Sequence, residues 1–594
     1  MTRAVVASAP AFGATSLGDA RTRFRLWAPD ASSVEVEFDA DRREPMMREA
    51  DGTFQAVIDA APGARYRYRI DGDYAVPDPA SRWQPDGADG ASAVFDPDAY
   101  AWQHAQWRGR PWNEAVIYEL HVGTCGGYAG VRAQLPRLAA LGITAIELMP
   151  VAEFAGRRNW GYDGVLPYAP ASAYGTPDEL KALIDEAHGL GLMVLLDVVY
   201  NHFGPAGNHL GRYASTFFRK DRASAWGESI DFNREPVRRY FIDNALMWLR
   251  EYRFDGLRLD AVHAIEPTEF LDELREAIHA AVPDRHVHLV LENERNQASL
   301  LERGYTAQWN DDFHNALHVL LTGEDEAYYA NYADQPAARL ARVLSEGFAY
   351  QGEENVHGEP RGEPSGHLPP TKFVVFAQNH DQVGNRACGE RLSTLVSERA
   401  LRVAMALTAL TPMIPLFFMG EPWGSRTPFL FFTDFDAPLD EAVREGRRRE
   451  FATFSAFADE ARRASIPDPN APETFDASIA DIADAERGDG ADWAAWFRGL
   501  LEARRRHLQD RLDDAKPIGA RVIGAKAVQA AWSIGDQTLR VAVNFGDEAV
   551  ALGPWPAGEI VHAELPHAEA VQLCDALRVL PPCGFVAHLA PANP

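Results

Sequence analysis

The chain has 594 residues, of which 46% are hydrophobic and 24% are charged. These fractions are typical of a folded globular protein and exclude a largely disordered chain. The 58 basic and 86 acidic residues leave a net charge of -28, which repels nucleic acid and anionic membranes but does not affect a neutral ligand such as a sugar. We therefore expect about two to four domains and a neutral substrate, with no nucleic-acid partner.

The N-terminal sequence and the cysteine spacing predict a reducing compartment. The N-terminal stretch has no apolar run long enough for a signal peptide, and no segment reaches the roughly 18 apolar residues that a membrane span needs. Of Cys125, Cys388, Cys574 and Cys583, only the last two are close in sequence, so neither a disulfide framework nor a CxxC metal site is indicated. We expect a cytoplasmic protein with reduced thiols and no membrane contact.

The first predicted domain is an Ig-like β-sandwich, which we place at residues 1–106. Between Phe24 and Phe95, short alternating runs such as RFRLWAP, SVEVEF, TFQAVI and RYRYRI are separated by Asp, Gly and Pro turns. Such alternation predicts antiparallel strands with one buried face. The segment WRGRPW at Trp107 to Trp112 closes this domain.

Residues 107–515 are predicted to form a (β/α)8 TIM barrel, which makes the fold class α/β. Apolar strand-like runs alternate here with helical ones, as parallel strands buried on both faces require. The sixth strand, near Ala307 to Asp312, is weak, and Gly347 to Pro370 reads as a long loop. From about residue 516, short β-runs return and predict a C-terminal β-sandwich at 516–594. The eight barrel runs are VIYELHV, AIELMPV, MVLLDVVY, GLRLDA, HLVLEN, the weak sixth, KFVVFAQNH and IPLFFMG.

Polar residues follow several of these strands at the point where each one ends. In barrel enzymes, such residues meet at one catalytic face. Converging carboxylates in a site for a neutral ligand favour hydrolysis of a glycosidic bond, with two carboxyl groups roughly 5 to 5.5 Å apart in a retaining enzyme. The residues expected to converge are Asp197, Asn201, His202, Arg258, Asp260, Glu292, His380 and Asp381.

Asp260 and Glu292 are the candidates for nucleophile and general acid. Arg258 lies two residues before Asp260, on the same face of the strand, where its guanidinium would stabilise that carboxylate. Glu292 follows an apolar run, so burial would raise its pKa and keep it protonated. Glu294 is the alternative acid, because it shares a face with Glu292.

Four stretches resemble the α-amylase superfamily of retaining glycoside hydrolases. The resemblance implies that Asp260 is the nucleophile, Glu292 the acid/base and Asp381 the transition-state stabiliser. His380 and His202 would bind sugar hydroxyls, and Asp197 would support Arg258 or His202. The four stretches are DVVYNH (Asp197 to His202), DGLRLDAVH (Asp255 to His263), HLVLENERN (His288 to Asn296) and FAQNHDQVGNR (Phe376 to Arg386).

Longer segments are similar to the maltooligosyltrehalose trehalohydrolase family. They are IELMPVAEFAGRRNWGYDGVLPYAP, LLDVVYNHFGPAGNHL, DGLRLDAVHAI, QNHDQVGNRA and MGEPWGSRTPFLFFTDF. The resemblance implies an enzyme that cuts the α-1,4 bond next to the terminal trehalose unit of maltooligosyltrehalose. Its substrates would be this sugar and related α-1,4-glucans. The stretch HVGTCGGYAG around Cys125 departs from the family's usual first loop.

Three further residues are candidates for substrate contact. Tyr162 would stack on the sugar in the cleaved subsite, although a core tyrosine is the alternative. His263 would contact the trehalose unit, with a structural histidine as the alternative. Trp423, with Phe429 to Phe432, would form a rim around the trehalose end, although core packing also explains a bare aromatic run.

No metal or other cofactor is expected. Asn201 stands where many α-amylases bind calcium, but the insertion between His202 and Asp231 is short and holds few acidic residues to supply further oxygens. We expect a monomer, with a dimer as the alternative. The rival functions are a glycogen branching or debranching enzyme and, from another class, an inactive α-glucan-binding protein.

Overall fold

The computed structural model describes residues 11–38, 42–224, 227–452, 454–457, 459–565 and 579–592. It confirms the predicted fold class, because a closed parallel barrel lies between an N-terminal sandwich and a C-terminal β-domain. The three described cysteines, Cys125, Cys388 and Cys583, are free thiols, and Cys574 lies outside the described residues. Within the described ranges, no helix is both long and apolar enough to cross a membrane.

The N-terminal part consists of two antiparallel sheets with strand orders β1-β2-β6-β5 and β4-β3-β7-β8, and β9 pairs with β7. In RYRYRI, Tyr66, Tyr68 and Ile70 are buried while the arginines between them are more exposed, which explains the alternation in the sequence. The described strands are β1 (Gly13–Ser16), β2 (Arg21–Trp27), β3 (Val34–Glu37), β4 (Arg43–Pro45), β5 (Met47–Arg48), β6 (Thr53–Asp59), β7 (Arg65–Ile70), β8 (Tyr74–Val76) and β9 (Ser92–Ala93).

The barrel closes in the order β10-β11-β14-β17-β18-β19-β20-β21, with every neighbouring pair parallel. The weak sixth strand is present as β19, only three residues long. The strands of this region are β10 (Ile117–Leu120), β11 (Ala145–Leu148), β12 (Ala152–Phe154), β13 (Gly164–Pro170), β14 (Met193–Val198), β15 (Phe218–Ser224), β16 (Gly227–Ile230), β17 (Gly256–Leu259), β18 (His288–Leu291), β19 (Ala307–Trp309), β20 (Phe373–Val375) and β21 (Ile414–Phe418).

Helices surround the barrel, and their starts follow local sequence signals. At the start of α2, for example, Thr176 and Glu179 form a capping box around a proline at the first helical position. The helices are α1 (Gly127–Leu141), α2 (Pro177–Gly189), α3 (Glu235–Arg250), α4 (Glu269–Ala281), α5 (Ala298–Glu302), α6 (Asp311–Thr322), α7 (Pro336–Glu346), α8 (His380–Gly384), α9 (Leu392–Leu395), α10 (Glu398–Leu410), α11 (Leu439–Phe451), α12 (Glu460–Arg463), α13 (Pro472–Asp476) and α14 (Gly488–His507).

The barrel interior changes from apolar to charged along the strands. At the N-terminal end, Ile117, Met193, Leu195, Val290 and Leu416 pack in one buried cluster. Toward the C-terminal ends, the side chains on the same face become carboxylates and an arginine. The apolar layer therefore forms the floor beneath the polar site.

The C-terminal domain packs against the helices of the barrel. Its main sheet has the order β22-β23-β24-β28-β26, and Trp532 donates a hydrogen bond from its indole to the Leu344 carbonyl at the end of α7 (3.0 Å). The strands are β22 (Lys516–Gly524), β23 (Ala527–Ile534), β24 (Gln537–Asn544), β25 (Val550–Ala551), β26 (Glu559–Glu564), β27 (Val579–Leu580) and β28 (Gly584–Pro591).

Candidate active site

Arg258 lies at the centre of the polar floor. Its side chain is fully buried, and its Nη1 donates to both oxygens of Asp197 (2.9 and 2.8 Å) and to Oδ1 of Asp260 (2.7 Å). The guanidinium lies over the ring of Trp309, 4.2 Å from its centroid. A cation held by two carboxylates and an aromatic face has little freedom to move, so it fixes the position of Asp260.

Asp260 is held at both carboxylate oxygens. Oδ1 accepts from Arg258, and Oδ2 accepts from the amide of Asn201 (2.7 Å), which also donates to the Asp260 carbonyl (3.0 Å). Asn201 also contacts the imidazole of His202, which is buried beside it. The amide of Asn201 is thus used to orient Asp260, and the sequence prediction that these residues converge agrees with their positions.

Glu292 lies on the other side of the same guanidinium. Its Oε2 is 3.1 Å from Nη2 of Arg258 and accepts from the backbone N-H of Ala261 (2.7 Å). Ala261 has a left-handed backbone (φ 42°), which turns its amide toward Glu292 directly after Asp260. Because Oε2 accepts the Ala261 N-H and faces the guanidinium, Oε1 is the oxygen that can carry a proton.

The surroundings of Asp260 and Glu292 give the two carboxyl groups different chemical properties. Burial raises the pKa of Glu292 well above its ordinary value; Arg258 opposes this rise, whereas Asp260 and Asp381 add to it. Its surroundings thus favour the protonated form of Glu292, whereas the carboxylate of Asp260 accepts from two donors. This difference is what an acid and a nucleophile need in one site.

Glu294, the alternative acid, lies in different surroundings. Its side chain is 75% exposed, whereas that of Glu292 is 20% exposed. Its backbone N-H donates to Nδ1 of His263 (3.5 Å), and its carboxylate is 3.8 Å from the other ring nitrogen. Glu292 is the carboxyl that contacts Arg258 in the floor of the site, so the geometry favours Glu292.

Asp381 and His380 continue the polar layer at the start of α8, which follows β20. The carboxylate of Asp381 is 3.4 Å from Nε2 of His380, and the N-H and Nδ1 of His380 both contact Glu119. Burial acts to lower the pKa of His380, but Asp381 and Glu119 outweigh it and raise that pKa well above its ordinary value. Burial acts to raise the pKa of Asp381, but the His380 imidazolium and Arg258 hold it below its ordinary range.

Tyr162 also reaches the floor of the site. Its hydroxyl donates to Oδ2 of Asp197 (2.6 Å), and its ring stacks on His380 at 5.1 Å. The structure thus brings Tyr162 together with the catalytic candidates, with one face of its ring used by His380.

His263 lies at the edge of the cleft in the loop after β17. It is partly buried, and its partner is Glu294 rather than a core residue. Its position beside the exposed Glu294 keeps it available to a ligand.

Trp423 is not brought to the site. Gly420 reverses the chain after β21 with a left-handed backbone (φ 93°), and Trp423 then packs, 4% exposed, on Tyr118. Tyr118 points to the helix layer, because its neighbours on the strand, Ile117 and Glu119, face the barrel interior. The expected rim of Trp423 with Phe429 to Phe432 is therefore mostly core, since Phe429 and Phe432 are also buried and only Phe431 is partly exposed.

Three carboxyl groups at the site were not predicted from the sequence. Glu119 on β10 anchors His380, and Glu147 lies beside it on β11 with neither carboxyl oxygen hydrogen bonded. Burial raises the pKa of Glu147 well above its ordinary value, with Glu119 and Asp197 adding to the rise. Asp311, at the start of α6, accepts from the amide of Gln382 (3.2 Å), and burial raises its pKa to about 7.

The sequence does contain a signal for two of these three carboxyl groups. Glu119 and Glu147 are lone charges inside apolar strand runs, at positions that alternate with outward-facing residues, and such a charge is buried only where it has a polar site to face. Asp311 gave no comparable signal, since an acid in the first turn is an ordinary feature of helices.

Within the described ranges, no group of three or more His, Cys, Asp or Glu side chains is arranged to hold a metal ion. Asn201, the candidate calcium ligand, directs its side-chain N-H groups at Asp260.

Family models match three parts of the chain. The α-amylase catalytic domain matches residues 96–226, carbohydrate-binding module 48 (isoamylase N-terminal domain) matches 11–97, and a domain of unknown function, DUF3459, matches 518–586. A crystal structure described as an α-amylase of Salmonella typhimurium superposes with a TM-score of 0.92 at 43% identity, covering 98% of this chain and 100% of that one. Fold and site together define a glycosidase of the α-amylase class.

Two curated relatives identify the family within the α-amylase class. The malto-oligosyltrehalose trehalohydrolase of Deinococcus radiodurans is 42% identical over 554 residues, which cover 89% of this chain and 90% of the relative. The enzyme of the same name from Arthrobacter ramosus is 39% identical over 571 residues, covering 91% and 95%. The chain belongs to the malto-oligosyltrehalose trehalohydrolase family.

Proposed function

We propose that this protein is a retaining glycoside hydrolase that releases trehalose from maltooligosyltrehalose by cutting the α-1,4 bond next to the terminal trehalose unit. The observation that carries the proposal is the pair of carboxyl groups on one buried guanidinium: Asp260 is held by two donors, and burial raises the pKa of Glu292 well above its ordinary value. The family relationship supports the choice of substrate.

In the first step, the Asp260 carboxylate attacks C1 of the glucose unit that precedes trehalose. The bond from C1 to the trehalose oxygen breaks, and Glu292 gives its proton to that oxygen, so trehalose leaves with a new hydroxyl group. The sugar chain remains as an ester on Asp260. Glu292, now a carboxylate, then takes a proton from water, whose oxygen attacks C1 and frees the maltooligosaccharide.

The remaining side chains of the floor support this reaction. The Asp381 carboxylate, kept ionised by His380, would accept hydrogen bonds from ring hydroxyls of the distorted sugar and stabilise its positive charge. His202 and His380 would contact other hydroxyls. Asp197 would support the site indirectly, because it accepts hydrogen bonds from Arg258 and from the Tyr162 hydroxyl. The ring of Tyr162 is held by stacking on His380. The same geometry supports Tyr162 as an aromatic wall of this subsite.

His263 is proposed as a contact of the leaving trehalose. It follows Asp260 in the chain and pairs with Glu294, which follows Glu292, so the two lie beside the strand ends that carry the nucleophile and the acid. An imidazole beside an exposed carboxylate offers donors and acceptors to a sugar with many hydroxyls.

The test is to give the purified protein maltooligosyltrehalose and amylopectin side by side and to analyse the products. We expect free trehalose and a shortened maltooligosaccharide from the first substrate, and the Asp260→Asn variant should release none while keeping the wild-type circular dichroism spectrum. A change in the branch content of amylopectin without trehalose release would favour a branching or debranching enzyme. Equal activity of wild type and Asp260→Asn would contradict the assignment of the nucleophile.

The cytoplasmic location and the monomeric state stay predictions. Size-exclusion chromatography with light scattering checks the second, since a dimer doubles the 65.6 kDa mass of the chain.

A further inference from the structure

The segment after the last barrel strand folds back onto the short helix that carries Asp381. This helix, α8, has only five residues, and its last turn adjoins α11 of that segment. Arg447 of α11 is buried, and its Nη2 donates to the backbone carbonyls of Gly384 (2.8 Å) and Arg386 (3.0 Å). One side chain from beyond the barrel therefore binds the end of the helix at whose start Asp381 lies.

The surroundings of Arg447 leave these carbonyls as its close partners. Its ion pair with Glu450 is loose, at 3.9 Å, and the rings of Phe431 and Phe451 cover its guanidinium, with both centroids 5.0 Å away. The last carbonyls of a helix have no partner within the helix, and an arginine can satisfy them. Because its planar group is packed between rings, Arg447 fixes the backbone that it binds.

Asn385 lies between the two residues whose carbonyls Arg447 binds. Its side-chain amide donates to Oδ1 of Asp381 (3.2 Å), the same oxygen that is 3.4 Å from Nε2 of His380. Two side chains thus hold the Asp381 carboxylate. The backbone position of one of them, Asn385, is set by Arg447.

Both neighbours of this asparagine have a second anchor. Nη1 and Nη2 of Arg386 donate to the two carboxylate oxygens of Glu324 (2.7 and 2.9 Å), which also contacts Nε2 of His318 on α6 (2.7 Å). Gly384 packs so closely on Trp160 that a Cβ atom there would lie 2.1 Å from the indole ring. The end of α8 is therefore held from several elements at once, as expected where a precise position matters.

We propose that Arg447 is a positioning residue for Asp381: it holds the last turn of α8 so that Asn385 keeps the Asp381 carboxylate directed at the sugar. The proposal deepens the proposed function and rests on it for the role of Asp381. A carboxylate that stabilises the positively charged transition state contributes most when that charge develops. Misplacing it should therefore lower kcat and leave KM nearly unchanged.

Steady-state kinetics of Asn385→Ala, Arg447→Met and the double variant test the proposal. Each single change should lower kcat about three- to tenfold, the effect of losing one ordinary hydrogen bond, with KM changed less than about twofold. Because both changes act on one carboxylate, the double variant should lose about as much as the more impaired single variant. Independent effects would instead multiply to about ten- to hundredfold. Arg447→Lys, which keeps a charged donor, should restore part of kcat.

The matched control is Arg448→Met. Arg448 is the next residue on α11 and also pairs with a glutamate three residues away, Glu445 (3.0 Å), but it is 34% exposed and its partner belongs to α11 itself. This control should leave kcat unchanged. Asn385→Ala tests the proposal even if Arg447→Met does not fold, because Asn385 is exposed and its replacement should keep the wild-type melting temperature.

Three results overturn the proposal: losses that multiply in the double variant, wild-type kcat in Asn385→Ala, or a rise in KM with kcat unchanged. Trehalose release by the wild type, measured separately, distinguishes this proposal from the proposed function. Without trehalose release, the same variants are compared on an activated aryl α-glucoside, and a non-multiplying loss of kcat would retain the positioning role and reject the proposed substrate. Trehalose release with multiplying losses would retain the proposed function and reject the positioning role.

Discussion

At the residue scale, one guanidinium organises the chemistry. Arg258 contacts Asp197, Asp260 and Glu292, so a single buried cation sets the positions of three carboxyl groups. Its charge acts to lower the pKa of Glu292, but burial and the neighbouring carboxylates outweigh that effect and raise this pKa well above its ordinary value. The division of roles between Asp260 and Glu292 therefore depends on burial and on which donors each one receives: Asp260 accepts from Arg258 and Asn201, and Glu292 accepts from the Ala261 N-H.

The difference between Glu292 and Glu294 gives a direct prediction. Glu292→Gln should lower kcat for trehalose release about 10²- to 10⁴-fold, the usual contribution of a general acid. The matched Glu294→Gln change, at an exposed side chain, should alter kcat far less. Steady-state kinetics with maltooligosyltrehalose measures both.

A substrate whose leaving group needs no proton supplies the control. With an activated aryl glycoside, Glu292→Gln should still form the glycosyl-enzyme. A larger loss in Glu294→Gln than in Glu292→Gln would show that the acid had been assigned to the wrong residue.

Glu119 is predicted to be a positioning residue for His380. In Glu119→Gln the imidazole loses a buried anionic partner, so the pKa of His380 should fall and the imidazolium should be lost at lower pH than in the wild type. We expect kcat/KM to drop about tenfold or more, as for the loss of a hydrogen bond to a charged group, and the alkaline limb of the pH profile to move to lower pH.

NMR titration of the His380 ring separates this effect from a general loss of structure. A lower kcat/KM with an unchanged His380 titration would contradict the positioning role. The conservative Glu119→Asp variant, which keeps the charge, should restore part of the wild-type titration.

At the element scale, the buried carboxylate of Asp255 connects the start of β17, the fourth barrel strand, to the neighbouring elements. Asp255, just before β17, accepts from the Trp107 indole (2.8 Å), from His188 on α2 (2.9 Å) and from the backbone of Val194 (2.9 Å). Arg285 adds an ion pair at 3.3 Å. One side chain thus connects the segment after the sandwich, a helix and two strands.

Asp255→Asn should lower the free energy of unfolding by about 3 to 5 kcal/mol, because it removes a buried charge that several donors need. Burial acts to raise the pKa of Asp255, but His188, Arg285 and the Val194 N-H outweigh it and lower that pKa below the unfolded value. The stabilisation is therefore present above the unfolded pKa and lost as the pH falls through the folded one.

Urea unfolding at neutral and acid pH measures this effect. The gap in stability between wild type and Asp255→Asn should narrow toward acid pH. A gap that stays constant with pH would mean that the carboxylate charge contributes nothing at this position.

At the scale of the whole molecule, the sandwich is fixed to the barrel by a bidentate ion pair. Both Nε and Nη2 of Arg82 are 2.9 Å from the carboxylate of Glu251 at the end of α3, and the Arg82 side chain is almost fully buried. The hydroxyl of Tyr240 on α3 also donates to the Pro79 carbonyl. Through these contacts the sandwich keeps one geometry relative to the catalytic floor.

Arg82→Ala should weaken this docking by about 2 to 5 kcal/mol, because Glu251 is left without its buried partner. Scanning calorimetry should then resolve a separate, earlier transition of the sandwich. Arg65→Ala, which removes a mostly exposed ion pair with Asp86 inside the sandwich, should leave the profile nearly unchanged. A single transition in Arg82→Ala would argue that apolar contacts alone hold the domains together.

The local sequence pattern was sufficient to predict the architecture and the main site residues. Period-two runs mark the sandwich, apolar runs alternating with helices mark the barrel, and the residue that ends each strand must face the catalytic side because strands in a barrel are parallel. For this reason Asp197, Arg258, Asp260, Glu292 and Asp381 were predicted to meet from their places in the chain.

Only the tertiary structure decided the contacts that depend on direction and depth. Glu119 on β10 contacts His380 on α8, which is far away in the sequence. A chain reversal at Gly420 turns Trp423 away from the cleft into the core. No linear pattern specifies either arrangement. The loop after the third strand likewise takes its position because it meets a sandwich that precedes the barrel. Periodicity records which face of a strand a side chain occupies, whereas burial, pKa and partner depend on distances across the fold.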